Sequence, residues 1–246
     1  MTRLVTLLAC GCLAALVLTA PAGAAEPLRA ADAVHPLGNE RLSDELTLTR
    51  WATPVTTGKL RGAPTRRSRA IGRLRFATED GHPEVYLVLR SRRERNGRVW
   101  LQVRVPRRPH GRTAWVEREG LGRLNVVHTY LRVSRRALRA TLYRDGRPIW
   151  RARIAIGARG TPTPAGRFWI RELLRGGGGA YGPWAFGTSA YSRLSDWPGG
   201  GVIGIHGTNQ PGLIPGRPSH GCIRVRNDRI ARLARLMPIG TPVRIL

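Results

Sequence analysis

The stretch Ile205-His206-Gly207-Thr208-Asn209-Gln210-Pro211, followed by Pro218-Ser219-His220-Gly221-Cys222-Ile223-Arg224-Val225, decides how the whole chain is read. Val202 to His206 and Cys222 to Val225 are short apolar runs bounded by Gly, Pro and Asn, the punctuation of strands in a mostly β domain. The turns beside them carry the chemistry. Cys222 has one histidine 16 residues earlier and another two residues earlier. A free thiol titrates near ~8.5 and is mostly protonated at neutral pH, so thiol chemistry needs a proton acceptor; histidine, titrating near ~6.5, suits that task. Gly221 lets the backbone approach a substrate closely, and successive amides around the nucleophile offer donors to a developing oxyanion. Two blander readings compete. A zinc site wants four ligands, and one cysteine with two histidines and no nearby carboxylate falls short. A buried, inert cysteine is common, yet a Gly-flanked His-Gly-Cys beside a turn is poor core material.

Outward from this stretch, the second half reads as a β-meander. Asn125 to Val133 and Arg139 to Tyr143 are strand runs, Asp145-Gly146 is a hairpin turn, and Ile149 to Ile156 places Trp150, Ala152, Ile154 and Ile156 on one face. Further strands are expected at Arg167 to Arg171 and Pro242 to Leu246. One helix is expected near the C-terminus, with Asn227 as its cap, Asp228 in its first turn, Ile230, Leu233, Ala234 and Met237 at helical spacing, and Pro238-Ile239-Gly240 as its stop.

The first half is organised separately. Residues 26–49 are mixed and polar and read as a linker or a loosely docked arm. Residues 50–118 alternate apolar and polar side chains at Val85 to Leu89, Val99 to Val103 and Thr113 to Val116, with Asn96-Gly97 as a turn, and predict a small all-β module. Its ending, Gly111-Arg112-Thr113-Ala114-Trp115-Val116 after a Pro-rich turn, resembles the SH3-like domains of bacterial cell-wall enzymes; an enzyme-specific β subdomain is the alternative.

The N-terminus predicts export. Arg3 precedes an apolar run from Leu4 to Ala20, and Ala22-Gly23-Ala24-Ala25 offers the small residues of a cleavage site, so residues 1–25 read as a removable signal peptide. Cys10 faintly resembles a lipoprotein site, but the apolar run continues ten residues past it, and lipid anchoring there is set aside. No later run is long enough to span a bilayer. Loss of Cys10 and Cys12 with the signal leaves Cys222 as the one thiol of the mature chain, in an oxidising compartment where it has no disulfide partner.

The 246 residues hold 42 basic and 15 acidic side chains, a net charge of +27, and Lys59 is the sole lysine. Such a charge favours anionic partners. Residues 50–118 carry 18 basic residues and residues 119–246 carry 21, so the charge is not gathered in a tail or recognition helix. With no nucleic-acid-binding signature and with export expected, nucleic acid is excluded as partner; anionic polymers of the wall remain.

Taken together, His206-Gly207-Thr208, Ser219-His220-Gly221-Cys222 with Arg224, and upstream Thr161 to Phe168 and Gly182 to Gly187 resemble the L,D-transpeptidase catalytic domain of the YkuD-type family, enzymes that cross-link peptidoglycan. The resemblance covers roughly residues 123–246. It implies a mainly β fold, a β-sandwich catalytic domain with one C-terminal helix, here preceded by the small β module.

The resemblance also implies roles. Cys222 would be the nucleophile, His206 the base, and the Gly207 carbonyl the group that orients His206. The amides of His220, Gly221 and Cys222 would form the oxyanion hole, with the His220 side chain orienting or touching substrate. Ser219, Arg224, Trp184 and Tyr191 would contact substrate; Arg224 would hold a substrate carboxylate or buttress the cysteine loop, the alternative being an ion pair elsewhere in the fold. Tyr181, Trp184, Tyr191 and Trp197 would wall the cleft or, equally, serve as packing residues. The implied reaction is a two-step acyl transfer on tetrapeptide stems through a thioester, giving 3→3 cross-links, with no cofactor or metal and with carbapenems as acylating inhibitors. An exported carboxypeptidase or amidase, with water as acceptor, and a non-catalytic wall-binding protein are the alternatives. The place of action would be periplasmic or at the cell wall.

Overall fold

Residues 38–196 and 198–246 are described in a computed structural model. The expected signal peptide, Cys10, the first part of the expected linker and Trp197 lie outside the described residues. Strands form where the sequence alternates with period two, because successive side chains then point to opposite faces and one face can be buried.

The first sheet contains β1 (Gly38–Arg41), β2 (Thr49–Ala52), β3 (Lys59–Arg61), β4 (Ala70–Arg73), β5 (Tyr86–Arg93), β6 (Val99–Arg104), β7 (Thr113–Glu117) and β8 (Asn125–Val127). Its order is β4-β3-β7-β6-β5-β2-β8, with β1 on the same edge of β5 as β2. Leu42, Leu60, Tyr86, Val88, Leu101, Val103 and Val116 fill its core. Two expectations need correction here. The stretch from Gly38 onward is a strand and a core residue, not a linker: β1 pairs residue for residue with Arg90 to Arg93, and Leu42 is buried. Asn125 to Val127 pairs with β2 in this sheet, so the run expected to continue to Val133 is divided at His128.

The second sheet contains β9 (Thr129–Ser134), β10 (Arg139–Arg144), β11 (Arg147–Gly157), β12 (Gly166–Arg175), β13 (Trp184–Tyr191), β14 (Val202–His206), β15 (Gly216–Ser219), β16 (Ile223–Val225) and β17 (Pro242–Ile245). Its order is β10-β9-β17-β12-β13-β14-β16-β11-β15, and β10 also pairs with β11, so the path closes on itself. Two long strands turn the corners. β11 pairs with β10 through Arg153 and with β16 from Ile154, while β12 pairs with β17 through Trp169 and with β13 from Ile170. The Asp145-Gly146 turn has positive φ at both residues, as a two-residue hairpin requires.

Leu131, Val133, Leu142, Trp150, Ile154, Ile156, Ile170, Phe186, Ile205, Ile223 and Val225 meet between the two halves. Each such side chain contributes about 1.5–3 kcal/mol by leaving water. The helix α1 (Asn227–Leu236) adds Ile230 and Leu233 to this core, and Trp150 Nε1 donates to the Arg229 carbonyl at 3.2 Å. Asn227 does not cap it: the N-cap is Arg226, without a side-chain hydrogen bond.

The two sheets share a seam. Val85, Leu87 and Trp169 form an apolar cluster with Trp51 and Ile239, and Trp169 Nε1 donates to the Val85 carbonyl at 2.8 Å. Beside it the fully buried Arg171 donates twice to Glu84, Nε to Oε1 at 2.7 Å and Nη2 to Oε2 at 2.5 Å, and once to Glu79 at 2.8 Å.

Candidate active site

β14 and β16 run parallel as neighbours, with Ile205 opposite Ile223 and His206 opposite Arg224. Because side chains alternate, Ile205 and Ile223 enter the core while Gly204, His206, Cys222 and Arg224 belong to the other face. Two stretches 16 residues apart are thereby brought side by side.

Gly204 lies between His206 and Cys222. A Cβ there would stand 3.6 Å from His206 Cδ2 and 3.8 Å from Cys222 Sγ, and the Gly204 amide donates to Sγ at 3.3 Å. His206 is buried, and its Nδ1 lies 2.6 Å from the Gly207 carbonyl oxygen. A carbonyl only accepts, so Nδ1 carries the proton and Nε2 is left with its lone pair. That is the tautomer a general base needs.

The electrostatics favour neutral partners at rest. Burial lowers the His206 pKa to about 4; the Gly207 hydrogen bond opposes this and Arg224 adds to it. Burial pushes the Cys222 thiol up, partly offset by the Gly204 amide and by Arg224. Both shifts favour the neutral thiol and the neutral imidazole over a thiolate and an imidazolium.

The loop after His206 is braced by glycines and Asn227. Asn227 Oδ1 accepts the Thr208 amide proton at 2.8 Å. A Cβ on Gly207 would stand 2.4 Å from that oxygen, and one on Gly182 would stand 2.5 Å from it and 2.7 Å from Gly207 Cα. Sequence reading assigned Asn227 to the helix it opens; only the fold shows that its side chain serves the His206 loop.

The other expected site residues divide. Arg224 Nη1 donates to Gln210 Oε1 at 3.0 Å, and its buried Nε has no hydrogen-bond partner among the described residues. Ser219, expected at the substrate, is buried: its hydroxyl donates to the Cys222 carbonyl at 2.6 Å and accepts the Gly221 amide at 3.2 Å. That amide is thus turned inward, away from the role expected of it in an oxyanion hole. The His220 carbonyl accepts the Ser192 hydroxyl at 3.1 Å.

Tyr191 is not a cleft residue. It is buried in the seam, and its hydroxyl donates to Glu79 at 2.8 Å. Trp184 is half-buried beneath the Arg175 guanidinium at 5.2 Å, and its carbonyl accepts the Gly207 amide at 3.1 Å. Tyr181 is the aromatic that meets the site: it is 53% exposed, with its ring edge-on to His206 at 4.9 Å between centroids. Among the described residues, no three His, Cys, Asp or Glu side chains converge as metal ligands, and no helix is long and apolar enough to cross a membrane.

Residues 128–245 match the L,D-transpeptidase catalytic domain family, YkuD. The protein provisionally named L,D-transpeptidase YkuD in Bacillus subtilis (strain 168) is 35% identical over 120 residues, covering 49% of this chain and 67% of that protein. The chain belongs to the L,D-transpeptidase family. Its namesake in Bacillus licheniformis is 36% identical over 104 residues, 42% of this chain and 57% of that protein. The chain thus spans two thirds of one relative and just over half of the other. Among solved structures, a crystal structure of an Enterococcus faecium L,D-transpeptidase mutant is 25% identical, with a TM-score of 0.40, covering 48% of this chain and 49% of that one. The matched region begins at His128, between the last strand of the first sheet and the first strand of the second, so the first sheet lies outside the matched part.

Proposed function

We propose that the mature protein is an exported L,D-transpeptidase that forms 3→3 cross-links between tetrapeptide stems of peptidoglycan. The observation that carries this reading is the Nδ1-protonated His206, held by the Gly207 carbonyl, on the strand beside Cys222. Sγ attacks the carbonyl carbon of the third stem residue as its proton passes to His206 Nε2. The carbon–nitrogen bond to the terminal D-alanine then breaks, and the departing amine takes that proton, leaving a thioester on Cys222. The side-chain amine of a neighbouring stem's third residue attacks the thioester, gives up a proton through His206, and releases the thiol. Water in place of that amine would make the enzyme a carboxypeptidase. Arg224, whose buried Nε has no hydrogen-bond partner among the described residues, is the group we assign to a stem carboxylate.

Anionic wall polymers are the second partner. Arg139, Arg151, Arg153, Arg226 and Arg229 surround a groove of about 480 Å³ floored by Ala152, Ile214 and Pro215. Arg139 and Arg153 face each other directly across β10 and β11. Like charges so placed repel, and among the described residues only Arg229 of the five has a carboxylate partner, Asp228 at 3.3 Å. A polyanion in the groove relieves that repulsion.

Incubating the chain lacking residues 1–25 with purified tetrapeptide muropeptides, followed by mass spectrometry, tests the reading. D-alanine loss with dimers is expected; D-alanine loss without dimers makes it a carboxypeptidase, and full activity in Cys222→Ala removes the mechanism. Retention on isolated sacculi that falls with salt, and falls further in Arg151→Gln/Arg153→Gln, tests the second partner.

A further inference from the structure

The loop between β6 and β7 reaches the chain around Ser192 through Arg108 and His110. Arg108 follows β6 and extends to the chain just after β13. Its Nε donates to the Ser192 carbonyl at 3.1 Å, and its Nη2 donates to the carbonyls of Ser192 at 2.7 Å, Gly200 at 3.0 Å and Leu194 at 3.4 Å. A guanidinium suits this task because its donors lie in one rigid plane and its charge persists at every pH of interest. The same guanidinium lies 4.8 Å from the Tyr191 ring centroid. Two residues on, His110 Nε2 accepts the Tyr191 amide proton at 3.0 Å. Two consecutive residues, Tyr191 and Ser192, are therefore gripped from the other sheet.

Ser192 faces the catalytic turn. Its hydroxyl donates to the His220 carbonyl at 3.1 Å, two residues before Cys222, and accepts the Leu194 amide at 3.3 Å. Gly221, between His220 and the nucleophile, has φ +127, and a Cβ there would stand 2.6 Å from Ile203 Cδ1 and 3.5 Å from Ser192 Oγ. The Ser192 hydroxyl is thus hydrogen-bonded to the peptide unit that leads through Gly221 into Cys222.

We propose that Arg108 is a positioning residue for Cys222: through Ser192 and the His220 carbonyl, the first sheet sets the geometry of the nucleophile's turn. The sheet outside the family-matched region is then a working part of the active site and not only a docked module. This rests on Cys222 being the acylated nucleophile, as proposed above. A small displacement is enough to matter, since a shift of about 1 Å at a reacting group costs up to roughly a hundredfold in rate.

The test uses the chain lacking residues 1–25 and a carbapenem, with acylation of Cys222 followed by intact mass so that the acylation rate constant and the initial binding constant are obtained separately. Arg108→Ala and Ser192→Ala are each expected to lower the rate constant roughly tenfold or more with the binding constant unchanged. The double variant is expected to be no slower than the worse single variant, because both cut one chain of contacts. Arg108→Lys, which keeps the charge but loses the planar donors, is expected to recover only part of the rate. If Arg108 only joins the sheets, Arg108→Ala lowers the melting temperature but acylates at the wild-type rate well below it, and the proposal is overturned. Should Arg108→Ala not fold, Ser192→Ala decides, since it leaves the arginine contacts in place; a wild-type rate there overturns the proposal. Alkylation of Cys222 by iodoacetamide is measured in parallel. A wild-type protein that alkylates but is never acylated removes the transpeptidase reading; altered alkylation in both variants still supports the coupling, and unaltered alkylation overturns it.

Discussion

Asn227 Oδ1 accepts the amide proton of Thr208 at 2.8 Å, which ties the start of α1 to the loop that follows His206. The Gly207 carbonyl that holds His206 Nδ1 is part of that loop, so the hydrogen bond acts on His206 at one remove. Asn227→Ala leaves the Thr208 amide without its acceptor, at a cost of about 1–3 kcal/mol in stability. Acylation of Cys222 should fall several-fold beyond what the lost stability explains at temperatures well below melting. Asn227→Asp, which keeps an acceptor oxygen, should retain most of the rate. Thermal melts paired with acylation kinetics check both.

Gly182 packs on the same oxygen. Its φ of +64 with ψ of −159 is a conformation that costs a residue with a side chain about 1–3 kcal/mol. A Cβ would also stand 2.8 Å from the Thr208 amide nitrogen. Gly182→Ala should therefore lower acylation at least tenfold, whereas Gly177→Ala, with open space around its Cβ, should leave it unchanged. Equal rates in the two variants would remove the bracing role.

The pH dependence follows from the neutral pair. Cys222 lies above the ordinary thiol range because it is buried, and His206 lies near 4 for the same reason. Alkylation of free enzyme should rise steadily from pH 6 past pH 9, tracking the thiolate. A preformed thiolate–imidazolium pair would instead give a plateau between the two pKa values. Iodoacetamide kinetics across that range distinguish the two profiles.

The seam should be energetically coupled. Arg171 and Glu84 are both fully buried and joined by two hydrogen bonds. Removing either partner strands a charge, so Arg171→Leu or Glu84→Gln should each destabilise by about 3–5 kcal/mol, and the double variant by much less than their sum. Burial alone would raise the neighbouring Glu79 carboxyl, but Arg171, Tyr191 and Arg75 outweigh it and hold it at about 2. Its folded pKa is depressed, so its contribution is complete above the ordinary 4.5 and is lost as pH falls from there toward 2. Urea melts at pH 7, 4 and 2.5 should show that loss in the wild type. The loss should be smaller in Arg171→Leu.

Most strands were legible because alternation is local: Val99 to Val103, Thr113 to Val116, Val202 to His206 and the Asp145-Gly146 hairpin stand where the pattern puts them. Misreadings fell on residues whose role depends on distant partners. The polar Gly38–Arg41 looks like linker but finds the free edge of β5, where backbone pairing needs no apolar pattern. Tyr191 looks like a cleft aromatic but is claimed by Glu79, 112 residues away. Asn227 looks like a helix cap, and its side chain turns instead to Thr208.

Most strand-forming segments, the helix α1, the nearness of Cys222 and His206 and the family are legible in the residues alone, because these rest on local periodicity and on motifs that lie close together in the chain. Packing fixes the rest: Ser219 hydrogen-bonds within the turn that carries Cys222, Tyr181 and not Tyr191 meets His206, and Arg108 beside the first sheet reaches Ser192. Each of those depends on burial and on hydrogen bonds whose direction and partner are set by packing. No local pattern encodes a contact made across two sheets.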